Sequence, residues 1–504
     1  MTWENYFSYN RDFNKKHSLG VTLLQSIQQD LQEDLSGKVQ KLPSDILKYY
    51  DLASGLMIDG VGSDYIKWNM ASFMGRVNYG YMGRYLLTLS ARYDGSSRLA
   101  EGHKWVLFPS AALAWRISDE PFMKDLVWLD NLKLRVGYGK TGNSAVSPYQ
   151  TKGQLALRHY VFNNGSSEYI GYAPSVMAND QLTWETTDQW NVGVDFGFLK
   201  NRINGTVEFY LQNTKDLLLK RQLPVVSGFS SVMSNVGSTR NKGIEITLNT
   251  RNIMNRNFTW STDLTFSANK EEIVELYNGK TDDVGNLWFI GQPIDVYYNY
   301  KKIGIWQNTE NDLAEMAKFN EKGANFKPGS IRLEDVDGDY KITEEDKQIL
   351  GSVRPKFVAS MVNNFEFKGF DLSVFLYASV GGLLRNNIEF MEKPGRGNTV
   401  KVDYWTSTNP TNAFPRPSVD VEKLDYISTL GYDKADFLRI RNITLGYTLP
   451  EMWSKKVLMD KIRIYLSANN PAIFTNFTGI DPEGANGRTA PSYSTWMFGI
   501  NLSM

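Results

Sequence analysis

The amino-acid sequence predicts an all-β fold, a transmembrane antiparallel β-barrel. Three observations carry that prediction. Long segments alternate apolar and polar residues with period two, about fifteen such segments recur, and the links between them alternate between short and long.

The clearest segment is WNVGVDFGFLKNRINGTVEFYL, residues 190–211. Trp190, Val192, Val194, Phe196 and Phe198 share one face, with Asn191, Gly193, Asp195 and Gly197 on the other. After a break at Leu199, Lys200 and Asn201 the alternation resumes, with Ile203, Val207, Phe209 and Leu211 opposing Arg202, Asn204, Thr206 and Glu208. This is a β-hairpin whose strands are about twice the ordinary length. Taken alone it reads more readily as part of a soluble sandwich. Its strands also match the roughly 9–11 residues that a tilted strand needs to cross a bilayer.

Repetition decides between the two. Taken in order, membrane strands are expected at 3–13, 17–28, 70–80, 84–94, 105–116, 131–142, 186–198, 202–213, 240–251, 258–269, 355–367, 370–380, 436–448, 461–469 and 493–504. Phe73, Val77 and Tyr79 alternate with Arg76 and Asn78, and Tyr85, Leu87 and Leu89 follow. Leu132, Leu134, Val136 and Tyr138 oppose Lys133, Arg135 and Gly137. Ile244, Ile246 and Leu248 oppose Glu245, Thr247 and Asn249, and Phe258, Trp260, Leu264 and Phe266 oppose Ser261, Asp263 and Thr265. Within 436–448 the phase slips between Ile440 and Ile443, which predicts a bulge near Arg441 and Asn442. The final strand sets Trp496, Phe498, Ile500, Leu502 and Met504 on one apolar stripe.

The links run roughly 3, 41, 3, 10, 14, 43, 3, 26, 6, 85, 2, 55, 12 and 23 residues. Short periplasmic turns alternating with long extracellular loops are the pattern of outer-membrane barrels, and a sandwich has no reason to gather its long loops at one end. The β-prone stretch YYNYKKIGIW (297–306) would break this alternation. It is therefore assigned to a hairpin element in the great extracellular loop 270–354.

Composition narrows the function. Lysine plus arginine equals aspartate plus glutamate at 55 each, so no nucleic-acid partner is implied. The 27 Tyr, 26 Phe and 13 Trp suit membrane interfaces. There are no cysteines, which excludes disulfides, thiolate metal sites and thiol nucleophiles, and His17, His103 and His159 lie far apart. No apolar window is long enough for a transmembrane helix, so only a barrel could cross lipid. No GxSxG, HExxH, P-loop or GxGxxG in strand–turn–helix context occurs, so the reading is not that of an enzyme. MTWENYFSYN reads as strand rather than signal peptide, and the strand count is odd with a first strand running towards the periplasm. The expectation is an N-terminally truncated barrel.

Several blocks together resemble the SusC/RagA family of TonB-dependent outer-membrane transporters. They are RYDGSSRLAEGHKWVLFPSAALAWRISDE (92–120), LKLRVGYGKTGN (132–143), LTWETTDQWNVGVDFGFLKNRINGTVEFYLQNTKDLLL (182–219), LPVVSGFSSVMSNVGSTRNKGIEITL (223–248), DVDGDYKITEED (335–346) and DFLRIRNITLGYTLP (436–450). The resemblance implies that residues 1–504 are the C-terminal part of a 22-stranded barrel. It also implies a plug and a TonB box, absent from this sequence, that couple to TonB–ExbB–ExbD in the inner membrane. A SusD-like surface lipoprotein would serve as the lid, and the cargo would be oligosaccharides or peptides.

The sharpest site motif is Asp335-Val-Asp337-Gly-Asp339-Tyr-Lys341-Ile-Thr-Glu-Glu-Asp346. Carboxylates at positions 1, 3, 5 and 12 match an EF-hand calcium loop, with Lys341 offering its carbonyl. Tyr340 stands where the turn prefers glycine, Asp346 where glutamate is usual, and no helical pattern precedes the motif. The plain alternative is an acidic Asp-Gly turn. The loop aromatics Trp288, Tyr298, Trp306 and Trp405 could stack on sugars, although packing of the large loops on one another explains them better. The inward charges Arg76, Arg135, Asp195, Glu208, Asp263 and Arg463 are expected to face a plug or water. The competing function is a cell-surface glycan-binding β-scaffold without translocation.

Overall fold

The computed structural model describes the chain except residues 45, 47, 166, 387–401, 418–424 and 485–491. Fifteen strands form one antiparallel sheet in strict sequence order. They are Thr2–Phe13, His17–Gln40, Met57–Tyr81, Tyr85–Ser96, Trp105–Arg116, Leu129–Asn143, Glu185–Phe198, Ile203–Lys215, Ser238–Met254, Phe258–Glu275, Phe357–Phe367, Phe370–Val380, Phe437–Thr448, Lys461–Thr475 and Thr495–Ser503. Every strand predicted from alternation is present.

Register turns that alternation into two surfaces. One cross-strand row reads Trp115, Leu134, Val194, Val207, Ile246, Phe266, Ala359, Ala378, Leu438 and Phe474, all apolar across ten strands. One residue along, on the opposite face, the row reads Lys133, Asp195, Thr206, Thr247, Thr265, Ser360, Tyr377 and Arg439. A soluble sheet buries its apolar face. Here Trp190, Val192, Phe209, Leu445 and Phe498 on that face are exposed, the condition of a surface made for lipid. Among the described residues no helix is long and apolar enough to cross a membrane.

Aromatic rings mark the belt's margins. At the short-turn end Tyr81, Tyr85 and Trp115 stack in sequence at 6.3 and 6.4 Å. Phe370 meets Tyr447 at 4.5 Å at the same end. Towards the long loops Trp105 stacks with Tyr93 at 5.0 Å, and Tyr138 meets Trp190 at 4.9 Å. From Trp105 to Trp115, about ten residues of a strand tilted by about 40° rise about 25 Å, the height of an outer-membrane apolar band.

The predicted bulge is at Arg441. Phe375 pairs with Asn442 and Leu376 with Ile440, leaving Arg441 unopposed, and pairing with the next strand shifts at the same place. Two expectations need correction. His17–Gln40 and Met57–Tyr81 continue far beyond residues 28 and 70 as one paired arm, from Gln28↔Met70 to Gln40↔Met57. The arm extends about 40 Å beyond the belt and is wet on both faces, so period two fades there. The segment 297–306 is not a hairpin on itself. Val296–Tyr300 pairs with Lys347–Ser352, and Lys302–Ile305 with Ile331–Leu333, both outside the large sheet.

At the short-turn end Glu120 accepts hydrogen bonds from Tyr85 Oη (2.6 Å), Trp115 Nε1 (3.1 Å) and Arg84 Nη1 (3.2 Å). The Tyr85 hydroxyl, then Trp115 and Arg84, hold its carboxyl below the ordinary glutamate range. A depressed carboxyl stabilises the fold above its unfolded-state pKa, and that stabilisation is lost as pH falls through the folded one. Glu120→Gln is therefore expected to lower the thermal unfolding temperature at neutral pH and to narrow the gap from wild type on acidification below the carboxylate range. A pH-independent gap would show that the charge is irrelevant.

Candidate functional site

The polar face carries charges that neutralise one another. Arg135 Nη2 lies 2.9 Å from Asp195 Oδ1 and 3.5 Å from Glu208, and Lys133 lies 3.6 Å from Asp195. The guanidinium passes over Gly193, where an added Cβ would sit 2.8 Å from Arg135 Nη2. Arg463 makes a two-pronged pair with Asp371, Nε to Oδ1 at 2.8 Å and Nη2 to Oδ2 at 2.5 Å. Arg76 and Asp263 have no ion-pair partner among the described residues.

Above the belt, the loop 270–354 and residues 404–417 and 425–435 fold together into a lobe with its own core. Ile305, Ile331, Leu333, Trp405 and Leu430 form one cluster, and Trp306, Met316, Phe319 and Phe326 a second. The helix Glu310–Glu321 supplies Met316 and Phe319. Thr309 caps it by accepting from Asp312 N–H, and Glu310 and Asp312 place acid in its first turn. Ile342 and Tyr426 pack against both clusters, Tyr300 packs against the first, and burial beside Glu344 pushes the Tyr300 hydroxyl up to about 12.

The four aromatics therefore separate. Trp306 is 1% exposed and lies under the Arg332 guanidinium at 4.4 Å. Trp405 is 8% exposed and donates from Nε1 to Gln307 Oε1 at 2.8 Å. Neither has a ring face free for a sugar, so packing of loop on loop is what these two do. Tyr298 is partly buried against Phe289 at 4.8 Å, and Trp288 is half-buried just after the turn Val284–Asn286, its backbone bridged to Asp283.

The lobe and the barrel mouth border a cleft of about 540 Å³ lined in part by Lys302, Ile349, Leu383, Phe414, Tyr432 and Thr478. Lys302 Nζ donates to the carbonyls of Asn412 (2.7 Å) and Ala413 (2.8 Å), and burial lowers its pKa.

The acidic loop gathers Asp335, Asp337 and Asp346, each with a carboxylate oxygen within 4.8 Å of the others. Asp339 and Lys341 stand outside this group. Asp346 is fully buried and accepts from the N–H groups of Val336 (2.8 Å) and Thr343 (2.7 Å). Asp335 accepts from Gly338 and Tyr340 N–H, each at 2.9 Å. Tyr340 holds the left-handed conformation, φ +63°, at the position where glycine is preferred. Its ring meets Phe319 at 5.4 Å and packs on the second cluster, which offsets the backbone strain. The strand Ile331–Leu333 precedes the loop and Lys347–Ser352 follows, so this is no helix–loop–helix unit. The Asp339 N–H favours the Asp337 carboxylate, but loss of hydration and the neighbouring Asp339, Asp346 and Asp335 together hold its carboxyl above the usual range.

Sequence reading missed one further cluster. Arg439 is 2% exposed, with Nη2 at 2.6 Å from Asp481 Oδ1 and Nε at 3.0 Å from Glu483. Arg441 also pairs with Glu483. These arginines pin the last loop against the polar face. The phase slip beside Arg441 was the available signal, but it says nothing of a partner some forty residues away.

A fifteen-stranded sheet with a lipid face, an ion-paired polar face and long loops gathered at one end is the architecture of an outer-membrane β-barrel. The TonB dependent receptor-like β-barrel family matches residues 2–471, and the chain belongs to that family, located in the outer membrane. It is 32% identical to the TonB-dependent receptor P3 of Formosa agariphila over 99% of this chain and 52% of that protein. It is also 32% identical to the TonB-dependent receptor SusC of Bacteroides thetaiotaomicron, over 86% of this chain and 43% of that one. The RagAB peptide importer in its open-open state matches at a TM-score of 0.83 and 25% identity, covering 100% of this chain and 54% of that one. The chain thus spans about half the length of the relatives it matches.

Proposed function

We propose that this chain is the barrel of an active importer of large nutrients, oligosaccharides or peptides, driven by TonB–ExbB–ExbD through a plug and TonB box and working with a SusD-like lipoprotein. The observation that carries the proposal is the polar row from Lys133 to Arg439 opposite the apolar row from Trp115 to Phe474, since a wall polar inside and apolar outside encloses a water-compatible path through lipid. The likeness to proteins named SusC and RagAB supports the import reading. The cleft at the barrel mouth, with amine, hydroxyl and aromatic groups together, suits a polar polymer bearing apolar patches.

Import is tested with the full-length protein in a strain lacking the native copy. Growth on purified oligosaccharide or peptide pools should require both the gene and an intact TonB system. Binding of those pools without TonB-dependent uptake would favour the glycan-binding scaffold instead.

Calcium in the acidic loop would be held by Asp335, Asp337 and Asp346, whose carboxylates converge, and the spacing of the motif adds Asp339 and the Lys341 carbonyl as further oxygens. Bound there, it supplies positive charge that relieves the crowding of these carboxylates and stiffens the lobe. Asp337→Ala is expected to abolish calcium binding measured by calorimetry while the barrel still inserts. Because the Asp337 carboxyl sits above its ordinary pKa, protons compete earlier than at a free aspartate, so calcium affinity should fall as pH is lowered towards the carboxylate range. Unchanged affinity in the variant would return the motif to an ordinary turn.

A further inference from the structure

We infer that the outer wall carries a binding site for the phosphate headgroup of an outer-leaflet lipid, where five strands leave the apolar belt at the long-loop end. The register places the site. The row Val136, Val192, Phe209, Ile244 and Ala268 is wholly apolar. The next row outward on the same face reads Tyr138, Trp190, Leu211, Lys242 and Lys270, and the next Lys140, Asp188, Asn213, Arg240 and Glu272. Lys215 follows one row further, on the strand of Leu211 and Asn213. The rows thus pass from hydrocarbon through the pair Tyr138 and Trp190, with Lys242 and Lys270 beside it, to a charged row in which Lys140 and Arg240 stand among Asp188 and Glu272.

Asp188, Glu272 and Glu275 offset the cations Lys140, Lys215, Arg240, Lys242 and Lys270 only in part. Asp188 accepts from Tyr138 Oη at 2.8 Å, Glu272 lies 3.6 Å from Arg240 and 3.7 Å from Lys270, and Glu275 stands opposite Ser238. Lys140, Lys215 and Lys242 have no ion-pair partner among the described residues. A cavity of about 230 Å³ opens between Asp188, Asn213, Lys215 and Arg240. Arg240 is held in place by donating from Nε to Asn213 Oδ1 at 2.9 Å, and its Nη1 lies 3.6 Å from Glu272, which leaves Nη2 to meet phosphate.

Five strands about 4.8 Å apart make a surface about 19 Å wide, enough for a headgroup with more than one phosphate. The occupant is a lipid and not a soluble anion because the cations sit directly over the apolar rows, so acyl chains on Phe209 and Ile244 and phosphate on the lysines are met by one molecule. Cations one step above the hydrocarbon on a wall otherwise built for lipid recognise the charge of that lipid.

The test uses the intact protein extracted in mild detergent, with a synthetic diphosphorylated, multiply acylated disaccharide as the probe and bound lipid counted by native mass spectrometry. Wild type should retain the probe and not phosphatidylcholine. Combining Lys140→Gln, Lys215→Gln and Lys242→Gln should weaken retention by about a hundredfold, and Arg at the same three positions should keep it. Heat-modifiable migration reports independently that the barrel has folded. Should the triple variant not fold, Lys242→Gln alone is expected to weaken retention about fivefold. Retention unchanged in the folded glutamine variants overturns the inference. So does displacement of the probe by an equal concentration of inorganic phosphate, which would make this a site for a free anion.

Discussion

Val207→Arg is expected to destabilise the inserted barrel by about 2–4 kcal/mol, the cost of an arginine near the bilayer midplane on a lipid-facing position. Val207 sits in the middle of the ten-strand apolar row, flanked by Val194 and Ile246. Its neighbour in the chain, Thr206, faces the other way and donates to Asp195 at 3.2 Å. Thr247→Arg, on that polar face, should be tolerated because the side chain meets water and the Asp195 and Glu208 carboxylates within reach. Urea unfolding of the full-length protein from lipid vesicles measures both. Equal losses for the two variants would show that the faces do not differ in environment, and the barrel reading would fail with them.

Trp306→Ala should cost the extracellular lobe about 3–5 kcal/mol while leaving the barrel in place. The indole meets Phe319 at 5.9 Å and Phe326 at 6.1 Å, and Arg332 covers its face. Removing it leaves a cavity at the centre of the second cluster, beside the helix Glu310–Glu321. Limited proteolysis of intact cells should then cut between residues 306 and 350 at rates well above wild type, with heat-modifiable migration unchanged. Protection equal to wild type would mean that the lobe is held by the first cluster alone.

The fifteen strands were legible because lipid imposes a rule on every residue of the belt. Each outward side chain must be apolar and each inward one can be polar, so period two is written over the whole length of the strand. The slip at Arg441 was legible for the same reason, since one extra residue reverses the faces and the sequence must reverse with it. Beyond the belt that constraint ends. The arm from Gln28 to Gln40 is paired but wet on both sides, so its pairing leaves little trace in hydropathy.

The acidic loop was recognisable by its spacing, and three of its acids do converge, because a closed loop of twelve residues brings its first and last side chains together. That Tyr340 could stand in the glycine position was decided by Phe319, a residue on a separate helix. The roles of Trp306, Trp405 and Arg439 were decided in the same way. Stacking on a sugar and packing in a core call for the same residue types, and only partners distant in sequence choose between them. By itself the sequence determined the membrane topology, because the solvent on each side of a strand selects its residues locally. The tertiary structure decided which loop residues are core, which could ligate an ion and which lysines line the outer wall, because those depend on register and on contacts that no local pattern encodes.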